Sequence, residues 1–195
     1  AVAGPGGDSA SVTWNHCGAH NVENALAAMA AARHVGVTAQ ICAEALPQFA
    51  GVKRRLELLG EPGAIAVYDD FAHHPTAIAT TLQGLRARAG KGRVIALIEP
   101  RSNTMRMGQH REQLAGATAS ADCVFWYQPA GIDWSLDDVV AASAVPAQTV
   151  ADIDELVAKV CAEAAPGDQV VVMSNGGFGG IHQKLLDVLE REHAQ

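Results

Sequence analysis

Four stretches of this 195-residue chain are apolar without a break: Ile65–Tyr68, Val94–Ile98, Val124–Tyr127 and Val170–Met173. A strand with one face in water alternates apolar and polar side chains, so unbroken runs of this length describe strands covered on both faces. Between them lie helix-period segments that begin near Pro75, Gly108, Asp152 and Gly180. Strand and helix in alternation predict an α/β fold, a mostly parallel sheet with helices on both faces. The helix boundaries carry their own signals. Ile78, Thr81, Leu82 and Leu85 form a stripe that starts at Pro75, a favoured first-turn residue, and stops at Gly90. Asp152 with Glu155 resembles a capping box, and Pro166-Gly167 ends the helix that begins there.

The first 50 residues read differently. An alanine-rich run from Asn21 to His34, with Val22, Ala25, Leu26, Met29 and Ala30 on one face, predicts a helix stopped by Gly36, and a second short helical pattern covers Thr38 to Phe49. Composition shifts sharply at Gly51-Val52-Lys53-Arg54-Arg55-Leu56-Glu57, which puts a domain boundary near residue 50. A formal net charge of −7 without a Lys/Arg run argues against a duplex-reading or membrane-surface module, so no nucleic acid and no membrane is expected as a partner. No stretch reaches the roughly 18 apolar residues of a membrane span, and the Ala/Gly-rich start lacks the regions of a signal peptide, so the expected location is cytoplasmic. Cys17, Cys42, Cys123 and Cys161 show no ligand-like spacing and read as small core hydrophobes.

In an open parallel sheet, ligands bind beyond the carboxyl ends of the strands. The segments after the four runs are Asp69-Asp70-Phe71-Ala72-His73-His74-Pro75, Glu99-Pro100-Arg101-Ser102-Asn103, Gln128-Pro129 and Ser174-Asn175-Gly176-Gly177. Turns after strands are polar in any case, which accounts for Gln128 but poorly for two acids followed by two histidines. A metal site at His73-His74 is disfavoured, because adjacent residues rarely face one ion and no third ligand stands at a suitable spacing. His16 and His20 read as ordinary residues near a turn. The glycine loop 175–180 comes after a strand and opens a helix, so its N–H groups could cradle an anion, although a tight turn explains it equally well. Arg101 and Arg106, interleaved with small polar residues, suit bidentate recognition of carboxylates. No GxxxxGK[ST] loop is present.

Three motifs occur in order: His20-Asn21-Val22-x-Asn24-Ala25-Leu26-Ala27-Ala28, Phe49-x-Gly51-Val52-Lys53-Arg54-Arg55-Leu56-Glu57 and Asp69-Asp70-Phe71-Ala72-His73-His74-Pro75-Thr76. Together they resemble the Mur ligases, the ATP-dependent amino-acid and peptide ligases of peptidoglycan synthesis. Glu99–Met105 and Ser174–His182 most resemble the recycling branch, which joins the murein tripeptide L-alanyl-γ-D-glutamyl-meso-diaminopimelate to UDP-N-acetylmuramate. The resemblance implies that residues 1–49 are the end of the central ATP-binding domain, a helical remnant, and that residues 50–195 are the Rossmann-like C-terminal domain. It also implies a fragment that is inactive alone, with ATP and Mg²⁺ bound mainly by the missing part. Such a remnant should expose apolar surface around Leu26 and Met29.

The same resemblance implies site roles. In the family, ATP phosphorylates a carboxylate and an amine then attacks the acyl phosphate. Asn21 and Asn24 match the pair that meets adenine, whose edge needs both a donor and an acceptor; Asn21 could also be an N-cap. Arg55 and Asp70 match positions at the ribose-phosphate portion, and His73 and His74 fall beside the nucleotide or in the domain interface. Arg101, Ser102, Asn103, Arg106, Ser174 and Asn175 lie on the loops that hold the incoming amine. A tripeptide with several carboxylates suits such a set better than free alanine does. Two alternatives stay open: a fragment of the alanine-adding sibling, UDP-N-acetylmuramate:L-alanine ligase, or a non-catalytic peptide- or nucleotide-binding module.

Overall fold

The structure is a computed structural model that describes residues 1–3, 8–14, 16, 18–128, 130–132 and 134–193. Cys17, Pro129 and most of the Gly/Pro-rich start lie outside the described residues. The chain divides into two compact units, Ala1–Val52 and Lys53–Gln195.

The first unit holds a short antiparallel ladder of β1 (Val2–Ala3) and β2 (Ser9–Ala10), then helices α1 (Ala19–His34) and α2 (Ala39–Ala45) with a 3₁₀ turn at Leu46–Gln48. Helix α1 starts two residues before the alanine-rich pattern, because Gly18 takes the N-cap position at φ 93°. Asn21 is therefore inside the first turn and is not a cap. Thr38 caps α2 by accepting from the Ile41 N–H. Of the predicted apolar face of α1, Met29 is buried at 7% exposure, whereas Val22 and Leu26 stay 52% and 43% exposed. The expected exposed apolar surface is present at Leu26 but not at Met29.

The second unit builds a six-stranded sheet from β3 (Glu57–Gly60), β4 (Ala66–Asp70), β5 (Val94–Ile98), β6 (Cys123–Tyr127), β7 (Ala147–Val150) and β8 (Gln169–Met173). The spatial order is β3-β4-β8-β5-β6-β7, with β3 antiparallel to β4 and every other pairing parallel. The last strand in sequence thus lies between β4 and β5. The four apolar runs are the four inner strands, as their composition requires. Edge strands β3 and β7 escape a reading by apolar runs, since each mixes polar residues or glycine with apolar ones.

Helices cover both faces. On one side α3 (Pro75–Ala89), α4 (Asn103–Arg106), α5 (Arg111–Ala117) and α6 (Asp137–Ala141) pack Ile78, Leu82, Met105 and Leu114 against Tyr68, Ala96, Ile98 and Trp126. On the other, α7 (Ile153–Glu163) and α8 (Ile181–His193) pack Leu156, Val160, Leu185 and Leu189 against Val67, Ile95, Leu97 and Val172. Neighbouring residues of β5 enter opposite cores, the period-2 signature of a strand buried on both sides. Helix α3 ends at Gly90, whose φ of 58° turns the chain back toward β5. Asp152 accepts from the Glu155 N–H at 2.8 Å, and Glu155 itself pairs with Lys159 at 3.0 Å. Among the described residues no helix is long and apolar enough to cross a membrane.

The cysteines described fit a role in packing. Cys42 and Cys161 are buried and, like the half-buried Cys123, unpaired. Burial pushes the Cys161 thiol up to about 11.

The amino ends of β5 and β8 are tied by Asp168, which is 4% exposed. It accepts from the Ala165 N–H at 2.9 Å and from Arg93 Nη2 at 2.7 Å, while Arg93 Nη1 reaches Glu163 at 2.7 Å. Burial alone would raise the Asp168 carboxyl, but the bonds from Arg93 and Ala165 outweigh it and hold the group below its ordinary value. Its stabilisation is complete above the ordinary carboxylate value and fades as pH falls through the lowered one. Asp168→Ala should cost about 2 kcal/mol near pH 7, and the gap to the parent should shrink on acidification toward about pH 3. Urea unfolding of both proteins at the two pH values checks this.

Candidate functional site

The carboxyl ends of β4, β8 and β5 are adjacent, so the loops after them meet although more than a hundred residues separate Asp69 from Ser174 in sequence. Two acids on β4 begin the site. Asp69 is 8% exposed and Asp70 is 3% exposed. A carboxylate this deep needs partners, and each has its own set.

Asp69 accepts from Arg54 Nε at 2.9 Å, and His182 Nε2 on α8 lies 3.1 Å from its other oxygen. Arg54 then reaches further: its Nη2 donates to the carbonyls of Ser174 at 2.7 Å and Gly176 at 2.9 Å. Its guanidinium carbon sits 5.3 Å from the Phe71 ring centroid. The backbone that presents it is in the left-handed region, with φ 58° at Arg54 and 49° at Leu56. Such values are costly for residues with a side chain. They are held by Glu57, which accepts from the Arg54 N–H at 2.8 Å, and by the Phe71 N–H, which donates to the Arg54 carbonyl at 2.9 Å.

Asp70 is occupied by the fold itself. One oxygen accepts from the Leu56 N–H at 2.8 Å, the other from the Ala72 N–H at 2.7 Å and the Thr81 hydroxyl at 3.3 Å. Burial pushes its carboxyl up, and the bonds from Ala72, Leu56 and Thr81, with the nearby charge of Arg55, pull it part of the way back. Arg55, next to Arg54 in sequence, is exposed, with its guanidinium carbon 5.8 Å from the Phe71 centroid. His73 bonds the Phe71 carbonyl through Nδ1 at 2.9 Å. His74 caps α3 by accepting from the Thr76 N–H and packs edge-on against His110. Among the described residues no three His, Cys, Asp or Glu side chains gather as metal ligands.

The second half of the site joins the β5 and β8 loops. Glu99 is 5% exposed and accepts from the hydroxyl of Ser174, which is fully buried. The same hydroxyl oxygen accepts from the Gly176 N–H at 2.9 Å. Arg101 Nη1 stands 4.0 Å from the other Glu99 oxygen, and the Arg101 side chain crosses directly over Gly176. The carboxamide oxygen of Asn175 is buried without a hydrogen-bond partner among the described residues. Ser102 caps α4 by accepting from the Met105 N–H, which leaves Asn103 exposed on its first turn. Arg106 is exposed and donates to the Gly131 carbonyl at 3.0 Å.

Two cavities accompany these residues. One of about 430 Å³ lies beyond the ends of β6 and β7, lined by Gln128, Ile132, Trp134, Ser135, Asp137 and Thr149. The Trp134 indole donates to the Met105 and Arg106 carbonyls, so this cavity adjoins α4. The other, about 570 Å³ and within the first unit, is lined by Asn21 and Asn24 together with Trp14, His16, Met29 and Phe49.

The sequence reading located the Arg101 and Ser174 loops, and the structure brings them together. Ser174 and Asp70 are buried and bonded within the fold, whereas Arg55, Arg101, Asn103 and Arg106 are exposed. Arg54, which the sequence does not single out, is the side chain that bonds both Asp69 and the glycine loop, and two adjacent arginines with a later pair of aspartates are the signal that points to it. Gln128, which reads from the sequence as an ordinary turn residue, lines the cavity beyond β6 and β7, with nothing local to mark it.

A sequence model described as Mur ligase, glutamate ligase domain matches residues 54–176. The chain is 53% identical over 182 residues to the UDP-N-acetylmuramate–L-alanyl-γ-D-glutamyl-meso-2,6-diaminoheptandioate ligase of Escherichia coli K12; the match covers 93% of this chain and 40% of that protein. The chain therefore spans about 40% of the length of such a curated relative. A crystal structure of a murein peptide ligase from Psychrobacter arcticus 273-4 superposes with a TM-score of 0.70 at 46% identity, covering 94% of this chain and 39% of that one. A crystallised domain of a putative ligase of the same kind from Haemophilus ducreyi gives a TM-score of 0.60 at 47% identity, covering 69% of this chain and 99% of that one.

Removing the Arg54 guanidinium strands the Asp69 charge beside His182. Arg54→Met should lower stability by about 2 kcal/mol, and adding Asp69→Asn should recover part of that loss because the stranded charge is gone. Thermal melts of the parent, the two single variants and the double variant test this.

Proposed function

The chain belongs to the Mur ligase family, and we propose that it is the C-terminal part of a ligase that joins L-alanyl-γ-D-glutamyl-meso-diaminopimelate to UDP-N-acetylmuramate with consumption of ATP. The observation that carries this reading is the rim where β4, β8 and β5 end, with Arg101 laid over the glycine loop and 4.0 Å from Glu99. A guanidinium held at one end and exposed to solvent suits a peptide carboxylate.

The far end of the tripeptide carries both an ammonium and carboxylates. We assign it to the cavity beyond β6 and β7, where Asp137 offers a negative charge, Gln128 an amide and Arg106, at its edge, a positive charge. The arginine and carboxylate groups along this rim then fix a ligand by its charge pattern, which free L-alanine cannot match. In this reading the chain's residues bind and align; most of the rate comes from holding amine and acyl group together.

For the nucleotide, the first unit offers the cavity lined by Asn21 and Asn24, whose carboxamides can both donate to and accept from an adenine edge, among aromatic and alanine side chains that suit a flat base. On the second unit, taken by itself, exposed Arg55 is a group that suits a phosphate. Mg²⁺ is assigned to residues outside this chain, as Asp69 is committed to Arg54 and His182, Asp70 to main-chain N–H groups and Thr81, and Glu99 to the Ser174 hydroxyl. When bound, the ion would neutralise phosphate charge.

Calorimetric titration tests the proposal. The protein should bind the tripeptide, bind L-alanine far more weakly, and lose tripeptide affinity by tenfold or more, about 1.4 kcal/mol or above, in Arg101→Ala. Equal binding of alanine and tripeptide would point to the alanine-adding sibling, and an Arg101→Ala variant that binds tripeptide normally would remove the assigned site.

A further inference from the structure

We propose that Gly176 is the positioning residue for Arg101, so that the absence of a side chain at residue 176 sets the orientation of the guanidinium and with it the discrimination for a carboxylated peptide. The proposal rests on the reading of this rim as the peptide site. A Cβ placed on Gly176 falls 2.5 Å from Arg101 Cδ, 2.6 Å from Nε and 2.7 Å from Cζ. The arginine therefore occupies the space that any other residue would fill with its own side chain. Nothing comparable confines it elsewhere: its side chain is 55% exposed, and its one charged partner among the described residues, Glu99, stands at 4.0 Å.

The floor under Arg101 is itself fixed. The Gly176 N–H donates to the Ser174 hydroxyl oxygen at 2.9 Å, and its carbonyl accepts from Arg54 at 2.9 Å. The Ser174 hydroxyl in turn donates to Glu99, the carboxylate 4.0 Å from Arg101. One buried hydroxyl thus sets both the glycine beneath the guanidinium and the carboxylate beside it. Gly176 does not belong to the glycines in the left-handed region, so alanine fits its backbone. A methyl there displaces the flexible arginine and leaves the loop in place.

The test is a double-mutant cycle in the full-length protein. G176A should raise the tripeptide KM about tenfold, the scale of one lost charge-assisted hydrogen bond, with kcat and the KM for ATP unchanged. In an R101A background the same substitution should change nothing, because no guanidinium remains to displace. Any fall in melting temperature in G176A should likewise vanish in the double variant. An unchanged tripeptide KM in G176A, an effect that adds in full to that of R101A, or a melting loss that persists without the arginine would each overturn the proposal. The R101A variant separately judges the peptide reading: if it alone leaves the tripeptide KM unchanged, that reading falls first.

Discussion

Asp69 carries a charge at 8% exposure, and the form of the rim depends on how that charge is compensated. Desolvating a carboxylate costs several kcal/mol unless partners replace the water. Here the replacement is Arg54, with His182 at the second oxygen. Only part of the guanidinium is used on the acid. Its remaining N–H groups hold two carbonyls of the glycine loop, so the compensation of one buried charge also fixes residues 174–176. That loop is the surface on which Arg101 lies.

Adjacent to this is a second, separate solution to the same problem. Asp70 takes main-chain donors from the segments on either side of it, at Leu56 and Ala72. It thereby closes the 53–56 segment, with its two left-handed residues, onto the end of β4. The paired aspartates thus divide the labour: one organises the loop after β8, the other the segment before β3. Neither is disposed as a free base, and the side chains left exposed around them include Arg55 and Arg101.

How much of this was legible in the sequence depended on the range of each interaction. The inner strands were readable because burial on both faces writes itself into consecutive residues. Edge strands β3 and β7 were not, since an edge tolerates polar residues and its pairing is decided by the neighbour. Helix α3 was legible at both ends, through Pro75 and Gly90. The convergence of the Glu99 and Ser174 loops could be inferred from the rule for strand ends, but the berth of Arg101 on Gly176 could not, because it depends on a register between strands whose sequence separation is large. Which of the two adjacent arginines turns inward is illegible for the same reason: it is settled by a backbone φ of 58° that no local pattern announces.

The place of β8 has a consequence for how the chain acquires this sheet. Its partners β4 and β5 are complete by residue 98, yet the strand that joins them spans Gln169–Met173. During synthesis from the amino end, a slot with unpaired edges on both sides persists until Met173 has emerged. Pairings of such long sequence separation form slowly, and open strand edges are the surfaces through which chains associate wrongly. The β4 and β5 edges are the ones that have to be shielded until β8 arrives.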